Sequence, residues 1–411
     1  MERAELSRLL GGVAGANPSL AVCIAETDAA KFKIVFANAV AGHGDIFLCD
    51  PAWGTVERAQ VDAQLRSRTT PRQDGRGWLM IPTGGTSGKI RFARHDGDTM
   101  AAAVGGFTRH FGVSEVNAAG LLPLHHVSGL MAWMRCALTG GSYLQLNWKA
   151  LETGALPVLP LKAEGWFISL VPTQLERLLR RPLAVEWLKG FRAVLLGGAP
   201  AWPDLLDRAA NARLPLAPSY GMTETAAMIA ALRPEEFLAG ARSSGSALPH
   251  ARITVSAEGA VGVAGESVFR GYYPAGRTER VFETADAGWL DERGQLTVTG
   301  RRDAVVITGG EKVQPTEVEA MLRGTGEFSE VVVLGVPDAE WGQMLVAAYP
   351  AALQPRLKKV ADAMARQLAP HKRPKLFVPL ASWPANAQGK INRAQIISLV
   401  IAAIHSGTPD T

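Results

Sequence analysis

Apolar and polar positions along the 411-residue chain fall into two successive rhythms. Short β-branched or apolar runs, as at 166–171 and 193–196, alternate with helical stretches such as 173–181. That is the spacing of βαβ units, and it predicts an α/β core. From about residue 250 the pattern changes to short strands punctuated by glycine, at 252–255, 266–269 and 295–299, which predicts a small, mostly β subdomain. After Gly300-Arg301-Arg302-Asp303 come a strand at 304–307, a glycine turn, a helix from about Thr316 and a strand at 331–334. This reads as a compact α+β unit. The expected architecture is therefore α/β, with a large N-terminal domain over 1–302 made of α/β layers plus the β subdomain. A smaller α+β C-terminal domain follows over 303–411, with the hinge at Arg302-Asp303.

Composition narrows the function. With 47% hydrophobic and 20% charged residues, the chain can bury a large core and is long enough for two domains. Its net charge of +5 comes from 43 basic residues scattered among 38 acidic ones. With no basic stripe, a nucleic-acid partner is not expected, and a polyanionic small substrate accounts for the excess equally well. Cys23, Cys49 and Cys136 are odd in number and lie in no CxxC or Cys/His spacing, so they predict neither a disulfide framework nor a zinc site. The first ten residues carry charges where a signal peptide needs an apolar stretch, and no run of about 18 apolar residues occurs. The expectation is a soluble, cytoplasmic protein without integral membrane association.

The candidate chemistry begins at Thr83-Gly84-Gly85-Thr86-Ser87-Gly88-Lys89, where glycines let backbone N–H groups approach a phosphate without Cβ obstruction. It is not a Walker A loop, which would need glycine at Thr83 and Ser or Thr at Ile90. Taken alone, the string is a phosphate cradle or a plain surface turn. Further along stand Leu122-Pro123-Leu124-His125-His126-Val127-Ser128-Gly129, Gly197-Gly198-Ala199-Pro200 and Ser219-Tyr220-Gly221-Met222-Thr223-Glu224-Thr225. Then come Thr284-Ala285-Asp286, Gly300-Arg301-Arg302-Asp303, Gly309-Gly310-Glu311-Lys312 and Gly389-Lys390-Ile391-Asn392-Arg393.

In this order the series resembles the signatures of the acyl-adenylate-forming superfamily of acyl-CoA synthetases and luciferases. The resemblance implies an AMP-forming acid–thiol ligase that uses ATP, Mg²⁺ and CoA. It also implies that the C-terminal domain is mobile and delivers the catalytic Lys390 to the acyl carboxylate and α-phosphate. Thr223 is then expected on the phosphates and Glu224 on the metal, since a carboxylate beside a hydroxyl offers the hard oxygens Mg²⁺ prefers. Gly197, Gly198 and Ala199 are expected to pack on adenine, with Tyr220 beside them. Asp286 and Arg301 correspond to the ribose-binding pair, and His126 to the histidine at the acyl pocket. Where the superfamily loop usually ends in Pro-Lys, this chain has Ile90-Arg91, and the stretch before the loop is short for the superfamily. A non-catalytic nucleotide-binding homologue would be expected to lack Lys390, Glu224 or Asp286, and all three are present.

The short N-terminal part and the string from Ile81 to Ala93 most resemble the o-succinylbenzoate:CoA ligases of menaquinone and phylloquinone biosynthesis; the alternative is a benzoate-like or other aryl-acid:CoA ligase. The dicarboxylate substrate implies a fixed cation among apolar walls. Ser128 and Arg135, seven apart in a helical stretch, share one face two turns apart. By the resemblance both line the substrate site, although an arginine late in a helix is ordinarily a surface charge near the helix dipole. Ser169, Thr173 and Gln174 resemble a segment lining the same pocket, and could equally be a helix cap.

Overall fold

In a computed structural model, residues 1–13, 21–66, 76–84, 90–158, 165–384 and 391–405 are described. The α/β expectation holds. A seven-stranded sheet has the spatial order Ser246–Ala247, Ala227–Ala231, Leu216–Met222, Ala193–Leu196, Trp166–Leu170, Asn117–Gly120, Tyr143–Gln145. The five strands from Leu216–Met222 onward run parallel, and Ala227–Ala231 returns antiparallel. Strand Ala193–Leu196 is buried at every position, as expected of a parallel strand covered on both faces.

The two-residue alternation sorts side chains between those faces. Trp166, Ile168, Leu170, Val194 and Leu196 join one core cluster, while Phe167, Ala193, Leu195 and Ala217 join another with Phe107 and Phe111 of helix Gly97–Phe111. Ser169 therefore shares the Phe167 face, beneath that helix and helix Val127–Thr139.

A second sheet, of strands Ala21–Ile24, Asp45–Leu48, Leu79–Gly84 and Ile90–His95, is parallel except for its last strand. The expected β subdomain is an antiparallel sheet of Ala251–Val255, Ala260–Gly265, Phe282–Leu290 and Leu296–Arg301. The strand expected at 266–269 is not one. Gly265, at φ +142°, ends the preceding strand, and Phe269 instead donates its N–H to the Glu224 carbonyl at 2.8 Å. Residues 302–304 form a 3₁₀ turn rather than the start of a strand. Beyond it, strands Val306–Thr308 and Glu311–Val313, a sheet of Val332–Asp338, Gly342–Pro350 and Leu376–Leu380, and helices Pro315–Gly324, Leu357–Gln367 and Arg393–His405 make the smaller α+β part. Among the described residues no helix is long and apolar enough to cross a membrane.

Candidate active site

Strand Leu216–Met222 ends in a single 3₁₀ turn, Thr223–Thr225, after which Ala226 and Ala227 take φ +51° and +75°. Two successive non-glycine residues in the left-handed region cost on the order of 1–3 kcal/mol each and persist only where the surroundings impose them. Thr225, fully buried, does so: its hydroxyl accepts from the Met222 N–H at 3.0 Å and donates to the Ala227 carbonyl at 2.7 Å. Gly221 permits the close return, since a Cβ there would stand 2.0 Å from the Ala227 carbonyl oxygen.

His95, at the end of strand Ile90–His95, holds the turn from below. Its Nε2 lies 2.8 Å from the Thr223 carbonyl oxygen and so carries the proton, leaving Nδ1 to face the Thr99 hydroxyl at 3.1 Å. Burial holds the pKa of His95 down at about 4, so it stays neutral. The unfolded chain takes up a proton near the ordinary value of about 6.5, so stability should fall as pH drops from 6.5 toward 4. The loss from this group should reach roughly 2–3 kcal/mol by pH 4.5. Urea unfolding between pH 7 and 4.5 should therefore show a shallower decline in His95→Gln than in wild type; parallel declines would remove His95 from this role.

The expected ribose residues come together. Asp286 and Arg301 are register partners across strands Phe282–Leu290 and Leu296–Arg301. Tyr220 donates its hydroxyl to Asp286 Oδ2 at 2.7 Å, and Arg301 Nη1 stands 3.9 Å from Asp286 Oδ1. Burial and then the Asp286 charge push the Tyr220 pKa up, which keeps its hydroxyl a donor. Asp286 thus keeps acceptor sites on a carboxylate fixed by a neighbour. The Arg301 guanidinium also grips Asp303, within the 3₁₀ turn. Gly197-Gly198-Ala199 follows strand Ala193–Leu196 at its carboxyl end, where ligands bind in open α/β sheets. Gly198 takes φ +82°, and the Ser219 hydroxyl ties the strand end by donating to the Leu196 carbonyl at 3.0 Å.

Glu224 is buried, and among the described residues no cationic side chain lies within ion-pair distance of it. A buried carboxylate without a counter-charge is costly, so its donor set fits a cation that draws its remaining oxygens from water and phosphate. One oxygen is already oriented: Tyr272 donates its hydroxyl to Glu224 Oε1 at 2.6 Å. The Arg91 guanidinium lies 4.2 Å over the Tyr272 ring, so the cation that departs from the superfamily pattern buttresses the carboxylate through an aromatic ring. Tyr272 was not singled out from the sequence; its one signal is an aromatic pair between Gly271 and Pro274.

Thr83 pairs with Arg91, and Gly84 with Ile90, across the hairpin closed by the glycine-rich loop. Thr83 is buried with no partner for its hydroxyl among the described residues. Gly85, Thr86, Ser87, Gly88, Lys89 and Lys390 lie outside the described residues.

Helix Val127–Thr139 presents Arg135 inward, not to the surface: it is 5% exposed, its guanidinium sits 4.2 Å over Phe107, and its Nε has no partner among the described residues. Among the described residues no carboxylate approaches it within ion-pair distance. Burial lowers its pKa only to about 10, so it is charged at neutral pH. Arg135 lines a small cavity with Phe107, Ala119, Phe167, Ser169 and Leu195. His250, also buried, has both ring nitrogens unpartnered among the described residues, and burial, Arg109 and Arg135 press its pKa down to about 4. Ser128 lies two turns earlier on the same helix and does not line that cavity. His126 is the residue at the helix N-cap, with Asp50 Oδ2 4.0 Å from its Nε2. Gln174 acts as a cap, its Oε1 accepting from the Val171 N–H at 3.1 Å.

Residues 21–273 match the model of the family described as AMP-binding enzyme, and 317–390 that of the AMP-binding enzyme C-terminal domain. The chain is 33% identical over 285 residues to the 2-succinylbenzoate–CoA ligase of Oceanobacillus iheyensis, covering 66% of this chain and 59% of that relative. With the enzyme of the same name from Enterococcus faecalis it shares 30% over 332 residues, 77% of this chain and 68% of the relative. The aligned chain thus spans about three fifths to two thirds of these relatives. Among solved structures, the o-succinylbenzoate CoA synthetase of Bacillus subtilis in complex with its acyl-adenylate intermediate superposes with a TM-score of 0.76 at 24% identity, over 96% of this chain and 90% of that one. ATP-bound MatB from Rhodopseudomonas palustris gives 0.77 at 21% identity, over 96% and 92%. At those identities the likeness establishes the fold.

Proposed function

The chain belongs to the AMP-binding enzyme family, and from that premise we propose that it is an ATP-dependent o-succinylbenzoate:CoA ligase, acting in the cytoplasm on the route to menaquinone or phylloquinone. The acid and ATP would give the acyl-adenylate and pyrophosphate, and CoA would then displace AMP to give the thioester. The observation that carries the choice of acid is Arg135, a buried guanidinium with no carboxylate within ion-pair distance among the described residues, lining a small cavity with Phe107, Phe167 and Leu195. A second carboxylate on an aromatic acid supplies the missing charge.

The other residues divide the work. Tyr220 fixes Asp286 to accept from the ribose hydroxyls, with Arg301 beside it. Thr223 offers its hydroxyl to the phosphates from a turn that His95 and Thr225 hold rigid. Glu224, aimed by Tyr272, would hold Mg²⁺, which supplies charge neutralisation between phosphate oxygens. Lys390 would arrive with the part beyond Arg302-Asp303 as it rotates over the large domain, 1–302. Discrete links between the two parts, such as Arg177 to Glu330 at 2.9 Å and Thr316 to the Thr299 carbonyl at 3.1 Å, support a boundary that can be broken and remade.

The direct assay is o-succinylbenzoate-dependent pyrophosphate release matched by an equal yield of thioester on adding CoA. No acid-dependent release would reject the proposal. Mg²⁺ titration of the same release checks the metal role: Glu224→Gln should move the midpoint up by more than about tenfold, and Tyr272→Phe by less, since it keeps the carboxylate and removes only one hydrogen bond that orients it. Unchanged titrations would remove both residues from it.

A further inference from the structure

Asp50, His125 and His126 offer three ligand atoms that all lie within 4.8 Å of one another. Asp50 follows strand Asp45–Leu48, and the two histidines sit in the turn that enters helix Val127–Thr139. His125 Nε2 is 3.6 Å from Asp50 Oδ1, and His126 Nε2 is 4.0 Å from Asp50 Oδ2, both beyond hydrogen-bond reach. The imidazole rings stand 4.4 Å apart, inclined at 48°. His125 is 5% exposed and its Nε2, on the side of the carboxylate, has no hydrogen-bond partner among the described residues. The carboxylate is held in place, since Asp50 Oδ1 also accepts the Ala52 N–H at 2.9 Å.

These three ligand atoms, gathered within 4.8 Å and including a buried His125 Nε2 with no hydrogen-bond partner among the described residues, outline a coordination edge. Tetrahedral zinc with bonds of about 2.0–2.2 Å would set its ligand atoms roughly 3.4 Å apart, so small rotations of the two rings close the set. From this geometry we infer that Asp50, His125 and His126 form a binding site for a divalent transition metal of the zinc class, with a fourth position open. Two imidazoles and one carboxylate suit zinc or cobalt, whereas Mg²⁺ takes an all-oxygen octahedron and belongs at a site such as that of Glu224. The bound ion would pin His126 at the N-terminus of the helix that carries Ser128 and Arg135, and so stiffen one wall of the acid pocket.

The test is metal binding by the full chain, with no activity readout. Chelator-treated protein is titrated with Co²⁺ and with Zn²⁺ by absorption spectroscopy and calorimetry, in millimolar Mg²⁺. The expected result is one Co²⁺ per chain with the visible absorption of a four-coordinate nitrogen/oxygen site, displaced by one Zn²⁺ and indifferent to Mg²⁺. Asp50→Asn and His125→Phe should each weaken Zn²⁺ by more than about tenfold, since loss of even an outer-shell partner costs about 10- to 100-fold. The near-isosteric Asp50→Asn keeps the test valid should His125→Phe misfold. No stoichiometric binding, or binding that Asp50→Asn leaves unchanged, would overturn the inference.

Discussion

Replacing Lys390 by alanine is expected to abolish adenylate formation while leaving the second half-reaction intact. A carboxylate attacking a triphosphate brings two anions together, and a cation delivered only in the closed arrangement stabilises that transition state without tightening substrate binding beforehand. Loss of one such preorganised group costs about 10²–10³ in rate, and a full positive charge between two anions sits at or beyond the top of that range. The segment's anchors survive the substitution. Three residues on, Arg393 donates to Glu319 Oε1 at 2.6 Å and to the Val333 carbonyl at 3.2 Å, and the Asn392 N–H reaches the Pro384 carbonyl at 2.9 Å. Pyrophosphate release should therefore vanish in Lys390→Ala, while thioester formation from synthetic acyl-adenylate and CoA continues near the wild-type rate. Equal loss of both steps would mean that the lysine is structural or serves both.

The second large effect concerns selectivity. Arg135→Ala should lower kcat/KM for o-succinylbenzoate by about one to two orders of magnitude, the equivalent of roughly 1.5–3 kcal/mol for a charge-assisted contact in a desolvated pocket. A monocarboxylic analogue without the ring carboxylate never makes the contact and should lose far less. Arg135→Lys should recover only part of the activity, because an ammonium cannot reproduce the planar fork. Stability offers an independent sign. Among the described residues Arg135 has no ion-pair partner, so its removal eliminates a buried uncompensated charge, and the melting temperature should hold or rise. A fall in melting temperature with equal decline for both acids would make Arg135 a structural residue and return the substrate to an unspecified aryl acid.

Elements with strong local patterns were legible in the sequence. The run at 193–196 is a fully buried parallel strand, and the helical reading of 128–135 falls inside Val127–Thr139. The pairing of Asp286 with Arg301, fifteen residues apart, became concrete only as a strand register. What escaped was long-range: Tyr272 reaches Glu224 across 48 positions, His95 reaches Thr223 across 128, and Asp50 meets His125 only because the end of strand Asp45–Leu48 comes against the turn entering helix Val127–Thr139. None of these has a local signature, since a lone aromatic or histidine reads as core. The strand expected at 266–269 failed for a local reason instead: Gly265 adopts a backbone that ends pairing, and the apolar residues after it pack as a turn. Arg135 shows the converse: helix position alone suggested a surface charge, the resemblance placed it at the substrate site, and the guanidinium is buried over Phe107.

The central claim, ATP-driven activation of an aromatic dicarboxylate, is tested most directly by competition. Purified protein with ATP, Mg²⁺ and limiting CoA is given an equimolar mixture of o-succinylbenzoate, benzoate, malonate and acetate, and the thioesters are identified by mass spectrometry. The account predicts o-succinylbenzoyl-CoA as the dominant product, with one AMP released per thioester. A product dominated by any of the other three acids, or AMP released without thioester, would contradict it.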